Sequence, residues 1–375
     1  MKVLIAPDKF KGSLPAAEVA RCLALGLSGS GAECHELPLA DGGDGSVEAA
    51  VAAGFEPVWI TVAGATGTPR RTRIALRGDT VVIEVANTCG LATAPLGRGY
   101  PLDASSLGFG QALRQAMRLH PRRILLALGG SASTDAGMGL LTALGYRFLD
   151  DTGRILPPSG RTLLDIATID DTAAVRLPAV ELVAACDVTN PLTGPPGAAV
   201  VYGPQKGADP ATVRHLDRGL RRIVEALSDN SFPQASTLAE IPGAGSAGGL
   251  GFAAMLLGAR LVSGADYFLD LLDFDRHRMA ADLIVTGEGS LDEQTAHGKL
   301  PAAVARRAAS TPVIAVAGRV AVPRNTLPAF TEVHALSDYT NQNTAHNPTL
   351  TAELLVRIGH TIARTHSQAV QPDPA

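Results

Sequence analysis

The chain has 375 residues, and its 32 basic and 36 acidic side chains leave a formal charge of −4, too balanced for a nucleic-acid-binding face or an acidic tail. Its length points to two domains, and its 46% hydrophobic content, with 40 glycines and 25 prolines spread along the chain, describes a globular protein rich in turns. Cys22, Cys34, Cys89 and Cys186 lie far apart without metal-ligand spacing, which reads as buried free thiols in a reducing cytoplasm.

The apolar run at residues 3–6 is too short for a secretory signal and is cut by Pro7, Asp8 and Lys9. The longest uncharged apolar window, residues 243–259, is glycine-rich and ends at Arg260, so a soluble protein without a membrane span is expected. Residues 3–6 form a buried strand, the loop APDKFKGSL carries Asp8 and Lys11, and Ser13 caps a helix with Val19, Cys22, Leu23 and Leu27 inward. The same unit recurs at PLADGGDGS, residues 38–46, where Asp41 and Asp44 flank a Gly-Gly turn before a helix. Two carboxylates there suit a metal ion, while capping alone explains one of them.

From residue 57 the texture turns β-rich. VWITVAG, RTRIALRG and TVVIEVA alternate or run β-branched, with Arg77, Gly78 and Asp79 as a hairpin turn, so antiparallel strands open a second domain near residue 58. That domain includes the densest stretch, RRILLALGGSASTDAGMGLLTALG. Residues 124–128 are a strand covered on both faces. Gly129 and Gly130 turn the chain, and Ser131, Ser133, Thr134 and Asp135 are cap candidates for a helix carrying Leu140, Leu141 and Leu144. Unpaired amides and a helix dipole meeting there favour phosphate, with an ordinary capped loop as the alternative.

The strand in VELVAACDVTNPLTG ends in Asp187 and Asn190, where open α/β sheets keep ligands. YGPQKGA presents Lys206 between turn residues, either for a ligand or as a solvated loop, and a secure helix follows with Val213, Leu216, Leu220, Ile223 and Leu227 at helical period. In GAGSAGGLGF the glycines 243, 245 and 248 fit a dinucleotide fingerprint, but Pro242 and the polar STLAE before them do not make the required strand. A glycine loop lining a nucleotide pocket remains open. The strand at residues 283–286 then runs into a loop holding Glu288, Asp292, Glu293, Gln294, Thr295 and Lys299, more polar groups than capping needs. PVIAVAG and EVHAL are further strands, and a helix with Leu350, Leu354, Leu355, Ile358 and Ile362 inward closes the chain.

With parallel βα units at both ends and β-rich texture between, the simplest architecture is one α/β domain, residues 1–57 and 280–375, interrupted by a second at 58–279 with a cleft between them. Glycine loops, carboxylates and lysines without a nucleophile–base pair describe phosphoryl transfer, although no Walker P-loop occurs. A nucleotide- or sugar-acid-binding sensor and an NAD-dependent dehydrogenase are the alternatives. The spread of acids over at least five loops disfavours the first, and the missing strand before Gly243 disfavours the second.

APDKFKGSL, PLADGGDGS, GGSASTDAGMGLLTALG, CDVTNPLTG, YGPQKGA, GAGSAGGLGF and TGEGSLDEQTAHGK, in this order, resemble the signature stretches of the type 1 glycerate kinase family. Asp44 and Ser46 stand where that family carries Glu and Thr, Lys9 replaces a small residue, and residues 319–347 match least well. The resemblance implies an ATP-dependent kinase phosphorylating D-glycerate, the 2-hydroxyl favoured and the 3-hydroxyl the alternative, and a flavodoxin-like parallel-sheet domain interrupted by a second α/β domain with antiparallel strands. On this footing Gly129, Gly130, Ser131, Ser133, Thr134, Asp135, Lys206, Gly245 and Gly248 are expected at the nucleotide phosphates, and Asp41 and Asp187 at Mg²⁺, Asp187 also among the catalytic groups. Asp292 is expected as base or second metal ligand, Glu288 to position metal or hydroxyl, and Lys299 to carry phosphate charge. Gln294, Thr295, Asn190, Asp8 and Lys11 are expected at the substrate, with Lys11 near Asp8 pairing with the glycerate carboxylate. Small molecules are the expected partners, nucleic acid and membranes are not, and a homo-oligomer is allowed.

Overall fold

The apolar runs become strands of three sheets in the computed structural model, which describes residues 1–29, 31–94, 100–177, 179–292 and 299–367. Strands β1 (Lys2–Ile5) and β2 (Glu33–Glu36) open the chain. They are followed by β3 (Glu56–Ala63), β4 (Pro69–Arg77), β5 (Thr80–Glu84) and β6 (Arg123–Ala127). Next come β7 (Arg147–Leu149), β8 (Thr168–Asp170), β9 (Glu181–Ala185) and β10 (Arg260–Val262), and β11 (Leu283–Leu291), β12 (Val313–Val320) and β13 (Glu332–Ala335) complete the set. The chain divides into two compact units, one of Met1–Asp41, Glu48–Ala53 and Ala265–Ala375, the other of Gly42–Val47 and Gly54–Gly264. The sequence placed the boundaries at 57/58 and 279/280.

In the first unit five parallel strands lie in the order β13-β12-β11-β1-β2. Counted within the unit this is 2-1-3-4-5, the flavodoxin-like order, whose switch point lies where β1 meets β11. Val3, Ile5, Val285, Ile314 and Val316 of the sheet share a core with Val19, Leu23 and Leu27 of helix Ala16–Ser28 and with Leu355, Ile358 and Ile362 of helix Pro348–Ser367. The two helices cross at glycines: a Cβ on Gly26 would lie 2.2 Å from Val356 O, and one on Gly359 2.6 Å from Leu23 O. Ser13 does not cap the first helix. Pro15 holds the cap position, and the Ser13 hydroxyl donates to Thr351 Oγ1 at 2.8 Å. Strand β11 also runs beyond Thr286 to Leu291, because β12 continues beside it as far as the Leu291↔Val320 pair, so Glu288 stands in a strand and not in a loop.

In the second unit the order is β10-β9-β6-β5-β4-β3, parallel from β10 to β5 and antiparallel from β5 to β3, while β7 and β8 pair separately. The β4–β5 turn is the expected hairpin, closed by Arg77↔Thr80 with Gly78 at φ 59°. Ile124, Leu126 and Leu128 join the main core with Phe109, Leu140 and Ile223, and Leu125 and Ala127 on the opposite face of β6 are equally buried. The helix after YGPQKGA is Pro210–Asp229, capped by the Asp209 carboxylate accepting from the Thr212 amide at 2.7 Å. No helix among the described residues is long and apolar enough to cross a membrane. All four cysteines are free thiols. Cys89 is buried as expected, while Cys22, Cys34 and Cys186 are only half-buried.

Candidate active site

At the switch point of the first unit, the backbone leaving β1 stays hydrogen-bonded to β11, with the Asp8 amide donating to Gly287 O at 2.8 Å. This holds the Asp8 side chain in the interior, where it is 7% exposed. Burial pushes its carboxyl up to about 7. The Lys9 ammonium opposes that rise and the Asp41 carboxylate adds to it. Lys9 serves both acids: its amide donates to Asp8 Oδ1 at 2.7 Å, and its Nζ stands 3.5 Å from Asp8 and 3.9 Å from Asp41. Thus Lys9, to which the sequence pattern assigns no site role, is the lysine engaged with Asp8, whereas Lys11 is exposed. Lys11 lies in the turn that the Phe10 and Leu14 backbones close on each other at 2.8 and 3.0 Å, so it does not follow Lys9 inward as a residue two along an extended strand would.

A second charge cluster follows β11. Lys299 Nζ lies 3.1 and 3.2 Å from the two Asp292 oxygens and 3.7 Å from Glu288 Oε2. Glu288 is 9% exposed and Asp292 more open. Its place in the β11–β12 ladder fixes Glu288, for a Cβ on the neighbouring Gly287 would lie 1.9 Å from Val316 O. The structure brings Asp292, Glu288 and Lys299 together. Gln294 and Thr295 lie outside the described residues.

In the second unit the loop after β6 is built differently. The helix it opens begins only at Met138, six residues long with Gly137 as cap, so Ser131, Ser133 and Thr134 are not its N-cap. The Asp135 carboxylate instead clasps the turn, accepting from the Ser106 amide and hydroxyl, both at 2.8 Å, and from the Gly137 and Gly139 amides at 3.2 Å. Burial raises its pKa and these donors oppose the rise, the Ser106 amide first. Ser131, Ser133 and Thr134 are buried as well: the two serine hydroxyls meet at 3.2 Å, and Lys206 Nζ donates to Ser133 O at 2.6 Å and approaches Thr134 Oγ1 at 3.5 Å. Lys206 is itself 6% exposed, and burial pushes it down to about 8 against the pull of Asp135, so it pins the loop from within. The exposed point is Gly130, at φ 78°. Around it Gly129 donates to Gly42 O at 3.1 Å and Leu91 to Gly130 O at 2.8 Å, while the Gly130 and Ser131 amides meet no acceptor among the described residues.

The glycines near residue 245 support this loop by close approach. A Cβ on Gly248, at φ 73°, would lie 2.0 Å from Ser133 O, one on Gly249 2.6 Å from Ala136 Cα, and one on Gly245 2.3 Å from Pro191 O. Ala136 and Ala247 take left-handed conformations in these same turns, at a cost of about 1–3 kcal/mol each that the packing has to offset. Helix Ala235–Glu240, and not a strand, precedes the loop, so the dinucleotide fingerprint has no sheet to stand on. Asn190 is part of the scaffold: its side chain donates to Pro196 O at 2.7 Å and accepts from the Tyr202 hydroxyl at 2.5 Å. Asp187 is exposed after β9, with Oδ1 accepting from the Gly264 amide at 2.8 Å.

Sequence reasoning missed Glu84. At the end of β5 and 2% exposed, it accepts from the Gly45 amide at 3.1 Å and the Val47 amide at 2.8 Å, fixing the turn that follows Asp41. The signal is a single acid inside the apolar run at residues 81–86. Asp41 falls in the first unit, Asp44 and Asp187 in the second.

Acids matched with lysines at strand ends, and a glycine turn presenting backbone amides, are the working parts of a phosphotransferase. Residues 3–367 match the model of the glycerate kinase family. The chain is 40% identical over 334 residues to the glycerate kinase of Bacillus subtilis (strain 168), covering 87% of each chain. It is 38% identical over 329 residues to the glycerate 2-kinase of Escherichia coli (strain K12), covering 85% of each. A crystal structure assigned as glycerate kinase 2 from Salmonella typhimurium LT2 superposes with a TM-score of 0.83 at 35% identity, over 99% of this chain and 100% of that one. The chain belongs to the glycerate kinase family, and is an enzyme that transfers a phosphoryl group to an alcohol.

Proposed function

We propose that this enzyme transfers the γ-phosphoryl group of ATP to the 2-hydroxyl of D-glycerate in the cytoplasm. The observation that carries the reading is the pair of acid–lysine clusters at the switch point, Asp8 with Lys9 and Asp41, and Glu288 and Asp292 with Lys299. A small hydroxy acid needs a cation for its carboxylate and a carboxylate to take the hydroxyl proton, and each cluster offers both. Asp8 suits the proton acceptor better than Asp292, since a carboxyl pushed up to about 7 is poised near neutrality, whereas Lys299 grips both oxygens of Asp292. Asp292 and Glu288 then orient Lys299 toward phosphate charge, and Lys9 takes the glycerate carboxylate in place of Lys11.

In the second unit the amides of Gly130 and Ser131 suit a nucleotide phosphate better than the buried hydroxyls of Ser131, Ser133 and Thr134. Lys206, Asp135, Gly245 and Gly248 act by fixing that turn. Among the described residues no three acid, histidine or cysteine side chains gather around a metal position. Mg²⁺ is ordinarily held by one or two carboxylates with phosphate oxygens and water; the half-buried Asp41 of the first unit offers one hard oxygen donor of this kind, and the exposed Asp187 of the second unit offers another. When bound, Mg²⁺ neutralises charge on the transferring phosphoryl group. The choice of the 2-hydroxyl rests on the Escherichia coli relative's name.

Phosphorus NMR of the product from ATP, Mg²⁺ and D-glycerate tests the reading. 2-Phosphoglycerate is expected. 3-Phosphoglycerate would overturn the regiochemistry, and absence of glycerate-dependent ADP formation would overturn the substrate.

A further inference from the structure

The sheet of the second unit ends at β3, and the hydrogen bonds along that strand leave part of its outer edge open. The Gly64 amide donates to Thr68 O at 2.7 Å, one step beyond the last β3–β4 pair, Ala63↔Pro69. Because bonded and non-bonded pairs alternate along an antiparallel ladder, Val62, Ile60 and Val58 turn their backbone groups toward β4, while Ala63, Thr61, Trp59 and Pro57 turn theirs outward. Ala63 is covered: its amide donates to Gln111 Oε1 at 2.7 Å, and helix Leu107–Met117 comes so close that a Cβ on Gly108 would lie 1.8 Å from Ala63 O. Among the described residues nothing bonds to the outward amides and carbonyls of Thr61 and Trp59, both exposed residues.

Beside this edge lies a groove of about 450 Å³ between strand residues 61–63 and the helical side chains of Gln111, Arg114, Gln115 and Arg118. No acid lines it. Arg114 donates to Ala143 O at 3.0 Å and Arg118 to Gln115 Oε1 at 3.2 Å, both neutral acceptors, so two positive charges face the groove with no acid paired to them among the described residues. They stand one helical turn apart, about 6 Å along the axis, close to the spacing of about 6.7 Å between alternate side chains of a strand. Proteins usually blunt a free edge with proline or charge. Here Pro57 removes one donor at the start of β3, but the open stretch at 59–61 remains beside a surface of one sign.

We propose that this edge takes up an extended acidic peptide segment as an added strand, its backbone pairing with Trp59 and Thr61 and its alternate carboxylates meeting Arg114 and Arg118. A second copy of this chain fits less well, because pairing two such edges brings the arginines of both copies together without an acid between them. The proposal is independent of the reaction proposed above.

Trp59 is the sole tryptophan and 56% exposed, so its fluorescence reports on the edge directly. The full-length protein is titrated with a capped heptapeptide of alternating glutamate and threonine. The controls are its lysine counterpart, the same peptide N-methylated at alternate amides, and glutarate. We expect a saturable change with the acidic peptide alone, and binding about tenfold weaker in the Arg114→Gln/Arg118→Gln double variant, as for the loss of two exposed charge contacts. That variant should keep wild-type kinase activity, which shows that it is folded. An equal response to the N-methylated peptide or to glutarate would reassign the groove to small anions and overturn strand addition. A concentration-dependent dimer that quenches Trp59 without peptide would assign the edge to a second copy, and no saturable response to any probe would remove the site.

Discussion

The two strand-end regions solve the same electrostatic problem in opposite ways. In the first unit the charges neutralise one another, Lys9 between Asp8 and Asp41 and Lys299 between Glu288 and Asp292. In the second unit Asp135, Lys206, Asn190 and Glu84 direct their hydrogen bonds to the protein itself, chiefly its backbone, and the phosphate contact proposed above falls to the main chain at Gly130 and Ser131. A side-chain cluster can change partners when substrate arrives, which acid–base chemistry needs. A backbone turn held by buried polar groups costs no reorganisation when an anion arrives, which phosphate binding needs.

The comparison breaks first at Asp8. Asp8→Asn should lower kcat about 100- to 10,000-fold with little change in the KM for ATP, as expected of a lost proton acceptor. A near-normal Asp8→Asn beside a dead Asp292→Asn would return the base to Asp292. The same side chain sets a pH signature: with its carboxyl pushed from 3.8 up to about 7, the folded protein holds a proton that the unfolded chain has already lost. The stability this contributes is complete below about pH 3.8 and disappears as pH rises through about 7. The melting temperature of Asp8→Asn relative to wild type should therefore climb between those limits and level off above them.

The next largest effect is expected at Gly248. Gly248→Val places a branched side chain at φ 73° against Ser133 O and should destabilise the protein by about 3 kcal/mol or more. Denaturant unfolding measures this, and a loss below about 1 kcal/mol would mean the glycine loops are not mutually locked. The smallest is expected at Glu84. Glu84→Gln turns one acceptor into a donor facing the Gly45 or Val47 amide and should cost about 1–3 kcal/mol. It should also raise the Mg²⁺ concentration needed for half-maximal activity, since the turn after Asp41 is then less firmly held. A stability loss with unchanged metal dependence would confine Glu84 to the fold.

Much of this molecule is legible in its sequence. The apolar run at residues 124–128, the hairpin at Gly78 and the long helix after Lys206 follow from periodicity and turn chemistry, which are local properties. The cluster of Asp292, Glu288 and Lys299 is visible as an excess of polar groups at a strand end. The helix start after Gly130 is not, because cap residues signal a cap only if the chain turns helical at once. Here Asp135 reaches Ser106, 29 residues away, and defers the helix to Met138.

The sequence alone determined which segments are strands, which loops are rich in glycine or charge, and to which family they belong, because local pattern and motif order carry that information. Only the tertiary structure decided which polar groups face inward. Lys206 and Lys11 both read as loop lysines, yet Lys206 is buried on Ser133 while Lys11 lies exposed and Lys9 takes its place beside Asp8. The reason is physical: whether a charge serves a ligand or the scaffold depends on the donors, acceptors and apolar walls that distant strands bring around it, and no local spacing encodes those.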